Sequence, residues 1–194
     1  MTWRRPAAQP ALRWAGPLAA LALLCAPTPE SHAHRLDEYL QATLIGLSPG
    51  EVRLEMSLTA GVQVASSILA RVDLNHDDHI SSTEGKAYAR SLLRELVLEV
   101  DGHPRALRLS GSWFPRPEDM RAGLGSIRLT AMAKFLELRP GEHQLFLQNH
   151  HLTNQSVYLV NALAPASRRV NIVSQRRDPR QTEVRIQFSV VGQD

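Results

Sequence analysis

Val52, Leu54, Met56 and Leu58 alternate without a break with Arg53, Glu55 and Ser57. In an extended chain successive side chains point to opposite faces, so this spacing gives one face to a core and the other to water, and it does not suit a helix. The preceding "LDEYLQATLIGL" is joined to it by the turn "SPG", which predicts a hairpin with one buried face. Seven further segments carry the period: "LVLEV", "ALRLSGSWF", "SIRLTAMAKF", "HQLFLQN", "SVYLVNAL", "RVNIVSQ" and "EVRIQFSV". The breaks between them, "DGHP", "RPEDMRAG", "RPGE" and "RRDPRQ", read as turns. Short strands at this spacing with Pro and Gly punctuation predict an antiparallel β-sandwich or barrel, with the sandwich as the expected form.

Between the hairpin and "LVLEV" the period changes. Val62, Ala65, Ile68, Leu69 and Val72 recur at three- and four-residue spacing, and so do Tyr88, Leu92, Leu93 and Leu96. That predicts a helix on each side of a polar loop. The expected fold class is therefore α+β: an antiparallel β-sandwich with a helix–loop–helix inserted at about residues 61–96.

Residues 1–33 read as an export signal. Arg4, Arg5 and Arg13 make a positive start, Trp14 to Ala26 an apolar run too short to span a bilayer, and Ser31-His32-Ala33 a small-x-small cleavage site. The mature chain is expected to begin at His34, to form one domain over 34–194, and to be periplasmic or secreted. Removing three arginines and one glutamate lowers the formal charge from +3 to about +1, so the basic balance owes much to the signal. Arginine outnumbers lysine twenty to two, which points to a GC-rich bacterial coding sequence. With no basic helix or aromatic stacking pattern, no nucleic-acid partner is expected. The single cysteine, Cys25, lies in the signal, so the mature chain has no disulfide or thiol chemistry.

The loop itself is "DLNHDDHISSTE", Asp73 to Glu84. Calcium takes six to eight oxygens, and a twelve-residue loop wraps it when donors fall at positions 1, 3, 5, 7, 9 and 12. Asp73, Asn75, Asp77, Ser81 and Glu84 put oxygen-bearing side chains at positions 1, 3, 5, 9 and 12, and His79 at position 7 offers its carbonyl. The competing reading is a capped turn, because Ser81 and Glu84 also have the spacing of a capping box. That box explains neither Asp73, Asn75 nor Asp77 at alternate places.

On these residues the stretch resembles the EF-hand family, whose loop pattern D-x-[DN]-x-[DN]-G-x5-E is met at every position but one. The resemblance implies calcium as the cofactor, two-oxygen ligation by Glu84, ligation by Ser81 directly or through water, and Ile80 pointing into the helix pair. The departure is Asp78, which stands where the family has glycine and must adopt φ > 0 at a cost of about 1 kcal/mol. A lone loop of this kind implies a fixed structural ion of modest affinity rather than a switch.

A second reading uses the histidines. A free amine and imidazole at His34 form half of a copper- or nickel-binding site, with His103, His143, His150 or His151 as further ligands. The plainer reading of "HH" at 150–151 is a pair of solvated turn residues. The start "AHRLDEYLQ" followed by strands resembles the extracytoplasmic domains of HupE/UreJ-type metal accessory proteins, which implies a membrane transporter or other envelope protein as partner. No nucleophile elbow, zinc-protease, C-x-x-C or phosphate-loop motif occurs, so no enzyme is expected. The arginine-rich "SRRVNIVSQRRDPR" reads as a solvated edge strand.

Overall fold

The computed structural model describes residues 37–192, so the expected export signal, 1–33, and His34 lie outside the described residues. The predicted hairpin is formed by β1 (Tyr39–Ser48) and β2 (Glu51–Ala60), and the predicted helices are α1 (Val62–Val72) and α2 (Ser82–Arg94). Then come β3 (Leu96–Val100), β4 (His103–Pro104), β5 (Arg108–Trp113), α3 (Pro117–Arg121), β6 (Ser126–Lys134), β7 (Gly141–Asn149), β8 (Ser156–Ala162), β9 (Val170–Arg177) and β10 (Glu183–Val190). Leu96, assigned above to a helix face, instead opens β3. Two elements fall within predicted turns. One is the two-residue β4; the other is α3, in which Pro117 starts the helix with its preset φ and Glu118 and Asp119 fill the first turn.

The strands form two five-stranded sheets, ordered β5-β6-β2-β1-β8 and β4-β3-β7-β10-β9. A shared apolar cluster lies between them, with Ile45, Leu47, Val52 and Leu54 from the first sheet and Leu98, Leu145, Leu147, Ile186 and Phe188 from the second. The chain passes from the first sheet to the second through α1 and α2. The sheets are not wholly antiparallel as expected, because β8 runs parallel to β1, from Tyr39 opposite Ser156 to Ile45 opposite Ala162. Period two marks a strand but not the direction of its neighbour. Here β8 arrives from β7 in the other sheet, and a crossing between layers leaves either direction open.

The inner face of the first sheet is divided along its length. On β2, Val52 and Leu54 meet the second sheet, whereas Met56, Leu58 and Ala60 meet the helices. On β6, Ala133 belongs to the first group and Ile127, Leu129 and Ala131 to the second. These strands run for nine or ten residues, about 30 Å at the usual rise, and the second sheet covers only part of them. The helix pair covers the rest with Ala65, Ile68, Leu69, Val72, Ala89, Leu92 and Leu93. It is a continuation of the second layer rather than an appendage.

Gly85 lets α2 lie close to the β5–α3 connection, since a Cβ there would stand 2.7 Å from the Phe114 ring. As expected, the arginine-rich segment forms an edge strand, β9. Its side chains also blunt the edge of β8, where Arg177 Nε donates to the Val160 carbonyl at 2.6 Å and Gln175 accepts from the Ala162 N–H at 3.0 Å. Among the described residues no helix is long and apolar enough to cross a membrane.

Candidate functional site

Asp73 is the cap residue at the end of α1, its N–H donating to the Leu69 carbonyl at 2.8 Å. The residue is 5% exposed, and its carboxylate accepts from the backbone of the loop it begins: Asp77 N–H at 3.3 Å on Oδ1 and Asp78 N–H at 3.0 Å on Oδ2. Asn75 Oδ1 accepts from Asp77 N–H at 3.2 Å, and Asp77 Oδ1 from His79 N–H at 2.9 Å. Each short polar side chain thus fastens the backbone just ahead of it, as such residues do in turns. The chain winds tightly enough to put His76 at φ 58° and Asp78 at φ 59°. The left-handed conformation foreseen for Asp78 is therefore present without glycine. Ile80 turns inward and packs, half-buried, on the helix cluster.

Ser81 and Glu84 start α2 as a complete capping box. Ser81 Oγ accepts from Glu84 N–H at 3.2 Å, and Glu84 Oε2 accepts from Ser81 N–H at 3.0 Å and Ser81 Oγ–H at 2.6 Å. The other Glu84 oxygen reaches across the loop to the N–H groups of Leu74 at 3.1 Å and Asn75 at 3.4 Å. The Ser81 bonds, side chain first and then backbone, hold its carboxyl below the usual carboxylate range. Capping alone does not require the contacts to Leu74 and Asn75. They tie the end of the loop to its beginning.

The donors of this loop are oxygens throughout, which fits a hard cation. The carboxylates do not share a centre in this arrangement: among the described residues no three His, Cys, Asp or Glu side chains gather closely enough to hold a metal ion. One neighbour had no sequence signal as a site residue. Arg121, at the end of α3, forms an ion pair with Asp78, and an open cleft of about 160 Å³ lies between them and Asp73. The segment "RPEDMR" falls in a predicted turn, although Pro117 followed by Glu118 and Asp119 is the signal of a helix start. Its proximity to the loop was not legible.

The histidines are dispersed. Both His143 ring nitrogens face acceptors, Asp101 Oδ2 at 2.8 Å and the Arg139 carbonyl at 2.8 Å, so the protonated ring donates to each. Partial burial lowers its pKa, but the bonds to Arg139 and Asp101 outweigh this and raise it above the ordinary value of 6.5. His150 is exposed. The solvated reading of the pair fails for His151, which is 4% exposed. The chain after β7 turns inward there, with Asn149 Oδ1 accepting from His151 N–H at 2.8 Å and Gln41 Nε2 donating to the His151 carbonyl at 2.8 Å.

His151 belongs to a second polar assembly where the helix pair meets both sheets. The Tyr39 and Tyr88 hydroxyls are 2.9 Å apart, and Tyr88 Oη is 3.1 Å from His151 Nε2. On the other side of the ring, Nδ1 lies 3.2 Å from Glu95 Oε1 but off the line of a hydrogen bond. Tyr158 Oη donates to the His151 carbonyl at 2.7 Å, and Asn149 Nδ2 to Gln41 Oε1 at 3.0 Å. Burial raises both tyrosine hydroxyls, Tyr88 to about 12 and Tyr39 well above its usual value, so both keep their protons. Tyr39 and His151 are more than a hundred positions apart, which is why no local pattern announced the cluster.

No protein-family model matches the chain, and no curated protein matches it.

Proposed function

We propose that this chain is an exported calcium-binding protein in which one helix–loop–helix of the EF-hand kind holds the ion as a structural part of a two-sheet β domain. The observation that carries the reading is Asp73: a buried carboxylate whose partners among the described residues are loop N–H groups, followed by Asp78 in the left-handed turn that the pattern normally reserves for glycine. The capping box of Ser81 and Glu84 accounts for neither. Asp73, Asn75, Asp77, Ser81 and Glu84 would hold the ion with their side chains and His79 with its carbonyl, once the carboxylates turn from their present backbone partners to a common centre that they do not now share. Calcium would neutralise the loop carboxylates and fix the helix pair.

Affinity is held down by three features. Glu84 already serves four donors, Asp78 carries left-handed strain, and Arg121 brings a competing positive charge to the loop. The expected Kd is about 10⁻⁴ to 10⁻³ M, the range of extracellular modules. At about a hundred times Kd, binding to the folded state alone adds about 2.7 kcal/mol. For a domain of this size that raises the midpoint of thermal unfolding by about 5–10 °C.

The test is a pair of melts, in EDTA and in 10 mM calcium, for the wild type and Glu84→Gln, together with a calorimetric titration. Calcium should raise the wild-type midpoint and leave Glu84→Gln nearly unmoved. A wild-type midpoint that ignores 10 mM calcium refutes the proposal.

A further inference from the structure

The assembly around His151 joins three parts of the molecule that are distant in sequence. Tyr88 lies on the buried side of α2, Tyr39 opens β1, and His151 sits in the β7–β8 connection. The direction of the hydrogen bonds follows from the chemistry. Glu95 beside Nδ1 favours the tautomer with its proton there, which leaves Nε2 as an acceptor. Tyr88 O–H then donates to Nε2, and Tyr39 O–H donates to Tyr88. Among the described residues Tyr88 is the hydrogen-bond partner of the Tyr39 hydroxyl.

A proton added at Nε2 reverses that chain. The imidazolium has only donors, so Tyr88 must turn its lone pair to the ring and its proton to Tyr39. Tyr39, fully buried, must then accept, and its own O–H is left without an acceptor. An unmet buried donor is costly, and the nearest relief is to move α2 away from β1. The apolar contacts of Leu92 and Leu93 persist, so the helix loosens and does not detach.

We propose that His151 is a proton-sensitive latch, closed when neutral and holding α2 to β1 and the β7–β8 connection, and opened by acid.

The charged and titratable groups facing it are Glu95 at the end of α2, Arg71 on α1, Tyr39 on β1, Tyr88 on α2 and Tyr158 on β8, with Arg180 behind Tyr158. Burial lowers the ring's affinity for a proton and Arg71 lowers it further, whereas Glu95 opposes both; the net direction is down from 6.5. The sign follows by linkage: the opened or unfolded ring binds a proton more readily than the closed one. Latch stability is therefore complete above pH 6.5 and is lost as pH falls through and below that value. With an opened ring titrating at 6.5 and a closed ring that stays neutral, the opening constant rises up to about thirtyfold at pH 5.0. This does not depend on what ion the loop takes.

The experiment is amide hydrogen exchange in EDTA at pH 7.5 and 5.0, corrected for intrinsic rates, on the wild type and on His151→Gln, together with an NMR titration of the wild-type His151 ring. The expected result is that protection across Ser82–Arg94 falls fivefold or more at pH 5.0 relative to the β2–β6 ladder, that His151→Gln removes this pH dependence, and that the ring titrates below 6.5. A smaller fall, an equal fall in His151→Gln, or a ring that titrates at or above 6.5 overturns the latch. If His151→Gln does not fold, the wild-type titration and exchange decide alone.

Discussion

Tyr88→Phe removes one oxygen and leaves two buried polar atoms without a partner, the Tyr39 hydroxyl and His151 Nε2. The ring of Tyr88 also packs edge-on against His151 at 5.7 Å and Phe114 at 6.2 Å between centroids, and phenylalanine keeps both contacts. The loss is therefore polar and not one of packing. Each buried group left unmet costs about 1–3 kcal/mol, and the variant no longer has to bury its own hydroxyl, so the net loss is about 3 kcal/mol. For a domain of this size each kcal/mol moves the midpoint by about 2–4 °C, which gives a fall of about 6–12 °C at pH 7.5. Tyr39→Phe supplies the second side of a double-mutant cycle. Once Tyr88 is phenylalanine, the Tyr39 hydroxyl has nothing to bond, so the double variant should be no less stable than Tyr88→Phe. Thermal melts of the four proteins measure this. A Tyr88→Phe midpoint within 2 °C of wild type, or strict additivity of the two changes, would refute the hydrogen-bonded relay.

Two further outcomes follow from other parts of the fold. Gly85→Ala puts a methyl 2.7 Å from the Phe114 ring and should lower the midpoint despite alanine's better helix propensity, with Phe114→Leu in the same chain restoring part of the loss. The His143–Asp101 pair has the opposite pH sign from His151: with its pKa raised, His143 contributes stability that is full below 6.5 and is lost as pH rises through its folded value. Asp101→Asn should therefore destabilise more at pH 5.5 than at pH 8.5 in urea unfolding, and an equal effect at both would show that the pair carries no proton-linked stability.

Much of this molecule is written in local pattern. Strict alternation over Val52 to Leu58 set a strand, because side chains two apart share a face whatever lies opposite. The three- and four-residue spacing of Ala65, Ile68, Leu69 and Val72 likewise set a helix and its buried side. The loop between the helices was legible because Asp73, Asn75 and Asp77 fasten backbone within five residues of themselves, and the left-handed turn at Asp78 is what the resemblance to the EF-hand pattern implies. What local pattern could not carry was anything that depends on who meets whom. The parallel pairing of β8 with β1, the helix pair acting as second layer over Met56 and Leu58, and the ion pair of Arg121 with Asp78 join residues tens of positions apart. His151 is the clearest case. A histidine beside another in a turn reads as solvated, and only the packing of α2, β1 and β7 around one ring excluded water from it and gave its proton a consequence.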